Sequence, residues 1–221
     1  MSSSHKHIFF DLDRTLWDFD ENSKQALHAI INECDLIKIF GSFDRFHRAY
    51  VKHNSRLWGE YSKGRLKKEI LRYERFNATL HQFGKDDLRL AKEMGDKYVQ
   101  ISPIQTKLFP NTKEVLIELQ KMGYHLHIIT NGFEEVQYIK LNNCGLRDFF
   151  EVVVCSEVVV KNKPALAIYQ YAMEQASCKP EHAMMIGDDF VADVSGALKA
   201  GFTSFTSLDI YTKNAERSIR K

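Results

Sequence analysis

From residue 111 onward, short Ile- and Val-rich runs alternate with helix-like segments, and this alternation most narrows the folds open to the chain. NTKEVLIELQKMG (111–123) sets Val115, Leu116, Leu119 and Met122 at helical spacing, with Asn111 as a candidate N-cap and Gly123 as a stop. HLHIIT (125–130) reads as a strand, followed by a helical FEEVQYIKLNNCG that closes on Gly145. A strand VVVCSE (152–157), a helical ALAIYQYAMEQA (165–176), a strand AMMIG (183–187), a helical VADVSGALKAG ending at Gly201 and a short strand FTSF (202–205) continue the pattern. Apolar strands separated by such helices build βαβ units, hence a parallel sheet covered on both faces. An earlier apolar run, Ile8-Phe9-Phe10, supplies one more strand at the start of the chain. The expected fold is α/β, a Rossmann-like parallel sheet core with helices on both faces.

Residues 18–103 depart from this pattern. Leu27, Ile30, Ile31 and Cys34 form one helical stripe, and Leu66, Ile70, Tyr73 and Leu80 form another. FDRFHRAYVKHNSRLWGEY and DDLRLAKEMGDKYVQI also read as helices, and nothing here alternates like a strand. The chain therefore leaves the sheet after its first strand, builds an inserted all-helical domain over 18–103, and returns. Residues 1–17 and 104–221 make the α/β core. A length of 221 residues with 44% apolar content supports a core domain plus an insert of this size.

Lys and Arg number 31 against 29 Asp and Glu, so the charge balance gives no reason to expect nucleic acid or an anionic membrane as a partner. No apolar stretch approaches the ~20 residues of a bilayer span. The amino end reaches Asp11 too early for a signal-peptide apolar region. Cys34, Cys144, Cys155 and Cys178 are scattered without C-x-x-C spacing, which fits a reduced cytoplasmic setting better than disulfides or a zinc site. Oligomeric state leaves no mark in the sequence.

Ligands of open parallel sheets bind beyond the carboxyl ends of the strands, and there the polar residues collect. Asp11 and Asp13 follow the first strand. Thr130-Asn131-Gly132 ends the second, Lys163 lies in a loop before a helix, and Gly187-Asp188-Asp189 ends the fourth, with Asp193 close behind. Carboxylates brought together this way repel unless a cation joins them. Hard oxygen donors favour Mg²⁺, which binds through one or two carboxylates plus substrate phosphate. A phosphate dianion facing Asp11 and Asp188 totals about −4 against about +3 from Mg²⁺ and Lys163, and backbone N–H groups of Asn131 and Gly132 can take the remainder. A protonated Asp13 can then donate to a leaving oxygen. A calcium loop is excluded, because its sixth and twelfth positions would be Leu16 and Asn22 in place of Gly and Glu.

The set resembles the haloacid dehalogenase (HAD) superfamily. Its D-x-D-x-T motif is matched by Asp11-Leu12-Asp13-Arg14-Thr15, its strand-end Thr by Thr130, its lysine by Lys163 before Pro164, and its acidic motif by Gly187-Asp188 with Asp193. The helical insert sits where that superfamily carries its C1 cap. DLDRTLWDFDENS and LWGEYSKGRLKKEILRYERF are most similar to the pyrimidine 5′-nucleotidase branch, although Arg14 replaces a common acid and Ala165 a usual Asn or Asp. The resemblance implies a Mg²⁺-dependent phosphomonoesterase acting on a small-molecule substrate, a nucleoside 5′-monophosphate first. It makes Asp11 the nucleophile and Asp13 the acid and base. It gives the metal to Asp11, the Asp13 carbonyl and Asp188, and the phosphoryl oxygens to Thr130 and the Asn131 N–H. Lys163 neutralises charge, while Asp193, with Asp189 as an alternative, orients Lys163 or a metal-bound water.

Three rivals share parts of this reading. A 2-haloacid dehalogenase needs neither Asp13 nor a metal, a sugar-phosphate phosphatase or mutase uses the same residues, and a non-catalytic phosphometabolite-binding module would have lost one of the chemical groups. Trp17, Phe19, Trp58 and Tyr61 are candidates to stack on a base, with packing in a core as the alternative, and Arg72 and Arg75 are candidates to reach substrate, with a place on the helix surface as the alternative.

Overall fold

A computed structural model of the protein describes residues 6–206. Residues 1–5, part of the segment weighed as a leader, and 207–221, the end of the expected core, lie outside that range. The elements run β1 (His7–Phe10), α1 (Phe19–Glu33), α2 (Ile37–Phe40), α3 (Phe43–Ser62), α4 (Lys68–Gln82), α5 (Leu88–Ile101) and α6 (Thr112–Lys121). They continue with β2 (His125–Thr130), α7 (Glu134–Asn143), β3 (Val152–Cys155), α8 (Ser156–Val159), α9 (Leu166–Gln175), β4 (Ala183–Gly187), α10 (Gly196–Lys199) and β5 (Thr203–Thr206). Among the described residues, 6–19 and 106–206 form one compact unit, and Asp20–Gln105 forms another.

In the first unit all strand pairs are parallel, in the order β3-β2-β1-β4-β5. Side chains alternate across each strand. Ile8, Phe10, Leu126 and Ile128 therefore pack on one face with Leu116 of α6 and Leu141 of α7. Phe9, Ile129 and Val154 pack on the other with Ile168, Tyr169 and Ala172 of α9 and Ala197 of α10. Both faces are covered, as expected of strands this apolar. From the central β1 the chain moves one way to β2 and β3, then crosses to β4 and β5. The order reverses between β1 and β4, and a crevice opens beyond strand ends at such a reversal.

Local departures from the sequence reading have local causes. The strand expected at 152–157 stops at Cys155, which pairs with Thr130 at the end of β2. Past Thr130 there is no strand left to pair with, and Ser156–Val159 coils into a helical turn. Of the stripe read in α6, Leu116 and Leu119 face the sheet, while Val115 and Met122 are exposed. Asn111 starts α6 from a left-handed backbone (φ 62°) without a side-chain cap bond, a conformation Asn tolerates.

In the second unit, Leu27, Ile30 and Ile31 of α1 are buried with Phe40, Phe46, Tyr50, Phe76 and Tyr98. Ser42 caps α3 by accepting from the Arg45 N–H, and Asp87 caps α5 by accepting from the Leu90 N–H. Of the stripe read in α4, Leu80 is buried as expected, while Ile70 and Tyr73 are only half-buried. The buried positions are Leu71, Arg75, Phe76, Thr79 and Leu80, and Leu66 precedes the helix. Inward-facing Arg75 and Thr79 hid the true phase from a reading of apolar residues alone. No helix among the described residues is long and apolar enough to cross a membrane.

Candidate active site

The site begins where β1 ends. The Asp11 N–H donates to the Ile186 carbonyl at 2.9 Å, which carries the β1–β4 ladder one residue further and holds Asp11 beside the end of β4. The Leu12 carbonyl then accepts from the N–H groups of Leu16 (3.0 Å) and Trp17 (2.9 Å), closing a tight turn. Leu12, Leu16 and Trp17 anchor that turn in the core on the Ile8/Phe10 face. Arg14 sits within it at φ 65°.

Lys163 is buried and uses all three ammonium protons. Its Nζ donates to Asp11 Oδ1 at 2.7 Å, to Asp193 Oδ1 at 2.6 Å and to the Ile129 carbonyl at 2.8 Å. Burial works against the charge of Lys163, but Asp11 and Asp193 outweigh it and hold the ammonium protonated well above the ordinary lysine value. Burial pushes Asp11 above the usual carboxylate range; Lys163 opposes this, and Asp193 and Asp13 add to it. Burial, and then the charge of Asp193, raises Asp188 to about 6. Carboxylate oxygens of Asp11, Asp188 and Asp193 lie within 4.8 Å of one another. One lysine cannot balance three acids so close, and a set of hard oxygen donors suits a Mg²⁺-like cation. Gly187 makes the cluster possible, since a Cβ there would fall 2.2 Å from the Asp193 carboxyl carbon.

Thr130 and Asn131 form the facing turn. The Asn131 amide clamps the Lys163 backbone, its Oδ1 accepting from Lys163 N at 2.7 Å and its Nδ2 donating to the Lys163 carbonyl at 3.1 Å. Buried Thr130 Oγ1 accepts from the Gly132 N–H at 3.1 Å. The Gly132 N–H is thus engaged inside the turn and is not the free phosphate donor expected of it.

Asp13 has a cation of its own, which the sequence reading missed. Lys140 Nζ donates to Asp13 Oδ1 at 2.6 Å, and Gln137 Nε2 donates to Asp13 Oδ2 at 3.0 Å. Both come from α7, where Gln137, Lys140, Leu141 and Cys144 are buried at helical spacing. Polar residues inside a buried stripe were the available signal.

Other expectations divide. Asp193 stands against Lys163 as foreseen in geometry, with its Oδ2 accepting from Asp189 N at 3.0 Å. The Asp189 carboxylate instead caps the following turns, accepting from Val191 N and Ala192 N at 2.8 Å each, so it does not share the work of Asp193. Trp17 is fully buried beneath the Lys140 ammonium (4.1 Å to the ring), and no base can stack on it. Phe19 lies under the Arg14 guanidinium at 4.4 Å. In the helical unit, Trp58 and Tyr61 meet edge to face. Arg75 is buried, donating to Asn54 and lying over the Tyr98 ring, so it is not a surface arginine; Arg72 is half-buried.

The haloacid dehalogenase-like hydrolase family matches residues 5–201. The chain belongs to that family. It is therefore a HAD-like hydrolase, with 32% identity over 201 residues (90% of this chain, 84% of the relative) to the glyceraldehyde 3-phosphate phosphatase of Methanothermobacter thermautotrophicus. It is 30% identical over 203 residues (89% and 83%) to the pyrimidine 5′-nucleotidase YjjG of Escherichia coli. Among solved structures, the HAD-hydrolase YfnB of Bacillus subtilis, bound to magnesium, superimposes with a TM-score of 0.82 at 25% identity, covering 90% of this chain and 87% of that one. The HAD fold agrees with the sheet described above.

Proposed function

We propose that this HAD-like hydrolase is a Mg²⁺-dependent phosphomonoesterase that works through an aspartyl-phosphate on a small phosphorylated metabolite. One observation carries the reading. Two acids two residues apart have separate environments, Asp11 bonded to Lys163 and Asp13 bonded to Lys140 and Gln137. Acids set apart in this way take different roles.

Asp11 attacks phosphorus, the new bond forming from its carboxylate oxygen as the P–O bond to the leaving group breaks. Asp13, protonated on a lone pair that Lys140 and Gln137 leave free, gives that proton to the leaving oxygen. Water then attacks the phosphorus of the aspartyl-phosphate, the P–O bond to Asp11 breaks, and the water proton passes to Asp13. The hydroxyl of Thr130 and the N–H of Asn131 hold phosphoryl oxygens, and Lys163 balances charge on Asp11 and phosphate. Asp11, Asp188 and the Asp13 carbonyl would hold Mg²⁺, with Asp193 kept behind them by Lys163 and the Asp189 N–H. When bound, the metal neutralises the acid cluster and polarises the phosphoryl group.

For the substrate, the first reading is a nucleoside 5′-monophosphate, supported by similarity to the nucleotidase relative. A triose or other sugar phosphate is the second, favoured by the identity to the glyceraldehyde 3-phosphate phosphatase and by the burial of Trp17. The helical unit Asp20–Gln105 serves in this reading as the cap that admits small molecules. Phosphate release measured with Mg²⁺ over uridine and thymidine monophosphates, glyceraldehyde 3-phosphate and a hexose phosphate tests both. Uridine or thymidine monophosphate leading by about tenfold, the size of a single stacking contribution, supports the nucleotidase reading. A sugar phosphate leading by the same margin overturns it, and release from none overturns the phosphatase reading itself.

A further inference from the structure

We propose that Lys140 and Gln137 of α7 are positioning residues that fix the carboxylate of Asp13 for proton transfer to the leaving group, an inference that rests on the phosphomonoesterase reading. Asp13 is half-buried and opens the tight turn closed at Leu12, its backbone bridged to Trp17, so the backbone is fixed and the direction of the carboxylate rests on what its oxygens meet. Both of its oxygens are held, Oδ1 by Lys140 Nζ at 2.6 Å and Oδ2 by Gln137 Nε2 at 3.0 Å. Two donors from one helix set the plane of the carboxylate, where a single donor would leave it free to rotate.

The surroundings show that these contacts are built in against resistance. Lys140 is an ammonium buried to 4% exposure, lying over the Trp17 ring at 4.1 Å, and Asp13 is its one ion-pair partner among the described residues. Gln137 is fully buried, and its Oε1 has no hydrogen-bond partner. Turning the amide over would place that oxygen against the Asp13 carboxylate and lose both donations, so the orphaned carbonyl follows from serving Asp13. An amide kept only for packing would be better replaced by an apolar side chain of the same shape. Gln137 Nε2 also donates to Thr130 Oγ1 at 2.7 Å. One amide thus ties the proton-transfer acid to the hydroxyl assigned to the phosphoryl group. Gly132 leaves the space for it, since a Cβ at that position would lie 2.1 Å from Gln137 Nε2.

A positioning role differs from a structural one in how it depends on the leaving group. An alkoxide needs its proton as the P–O bond breaks, whereas 4-nitrophenolate leaves with little help. Compare kcat/KM for glycerol phosphate and 4-nitrophenyl phosphate in wild type, Gln137→Met, Lys140→Met and Lys140→Arg. Both methionine variants are expected to lose about 100-fold on the alkyl ester and less than about 10-fold on the aryl ester, the scale of general acid catalysis. Lys140→Arg, which keeps a cationic donor, is expected to recover much of the difference. The ratio of the two esters within one sample is independent of how much enzyme is folded. Equal losses on the two esters, or no loss, overturn the positioning role while leaving the phosphatase reading intact. The alkyl ester that leads the screen above replaces glycerol phosphate if wild type does not cleave the latter, and failure of wild type on every ester overturns both.

Discussion

Lys163 Nζ donates to Asp11 Oδ1 at 2.7 Å across 152 residues of sequence, and the same ammonium holds Asp193 at 2.6 Å. Strand ends separated in the chain meet because β1 lies between β2 and β4. The Asn131 amide grips the Lys163 backbone from the end of β2, which makes the lysine part of the sheet edge.

Lys163→Met is predicted to leave two buried acids without their cation. Breaking a buried ion pair on one side destabilises by about 3 kcal/mol or more. Denaturant midpoints for metal-free protein at neutral pH should show this loss together with loss of phosphate release. An unchanged midpoint would mean that the lysine is not integral to the acid cluster.

Removal of divalent cations should abolish turnover reversibly. Asp11, Asp188 and Asp193 crowd within 4.8 Å, and the pKa values of Asp11 and Asp188 are raised by burial. Dialysis against a chelator should stop phosphate release and added Mg²⁺ should restore it. Full activity in excess chelator would contradict metal dependence.

Gly187→Ala should be damaging out of proportion to one methyl group. The new Cβ would overlap the Asp193 carboxyl, which is too short and too firmly bonded to swing away. Overpacking of this kind costs about 1–3 kcal/mol. Activity per folded molecule should also fall at least about tenfold, because the shift of Asp193 is passed to Lys163 and Asp11. A variant with wild-type kcat and stability would show that the cluster tolerates displacement.

Stability should decline in acid partly through His127, which has no role in the proposed chemistry. This ring is fully buried against Phe9, and its Nε2 lies 3.1 Å from His7 Nδ1. Burial, and then the nearby His7, lowers its pKa to about 4. The unfolded chain, with an ordinary pKa of about 6.5, binds the proton first, so stability is full above about pH 6.5 and is lost as pH falls towards 4. Between pH 7 and 4.5 this histidine should account for about 2 kcal/mol, at ~1.4 kcal/mol per pKa unit. Denaturation of wild type and His127→Leu at both pH values isolates the difference, and equal acid sensitivity would refute it.

The sheet was legible because buried parallel strands are written as apolar runs with polar residues at their ends. Asp11, Asp13, Thr130, Asn131 and Asp188 each stand at such an end or in the loop after it, and Lys163 stands in the loop before α9. Gln137 and Lys140 were not legible, because α7 presents them among Val136, Tyr138 and Ile139 as ordinary helix polars. Only the phase of the helix shows that they face inward. Arg75 concealed itself in α4 for the same reason. Trp17 shows a choice that sequence leaves open, stacking on a ligand or packing in the core, and the structure takes the second, with the ring closed under Lys140. The end of β3 depended on register with β2, which no local signal encodes.

The central claim is that Asp11 becomes phosphorylated during turnover. Enzyme mixed with Mg²⁺ and a good substrate, quenched in acid within one turnover and reduced with borohydride, would convert an aspartyl-phosphate to homoserine. Peptide mass spectrometry is predicted to find homoserine at position 11 and at no other acid, and to find none in Asp11→Asn, which should also be inactive. Rapid phosphate release by wild type with no homoserine at position 11, or with homoserine at Asp13 or Asp188 instead, would contradict it.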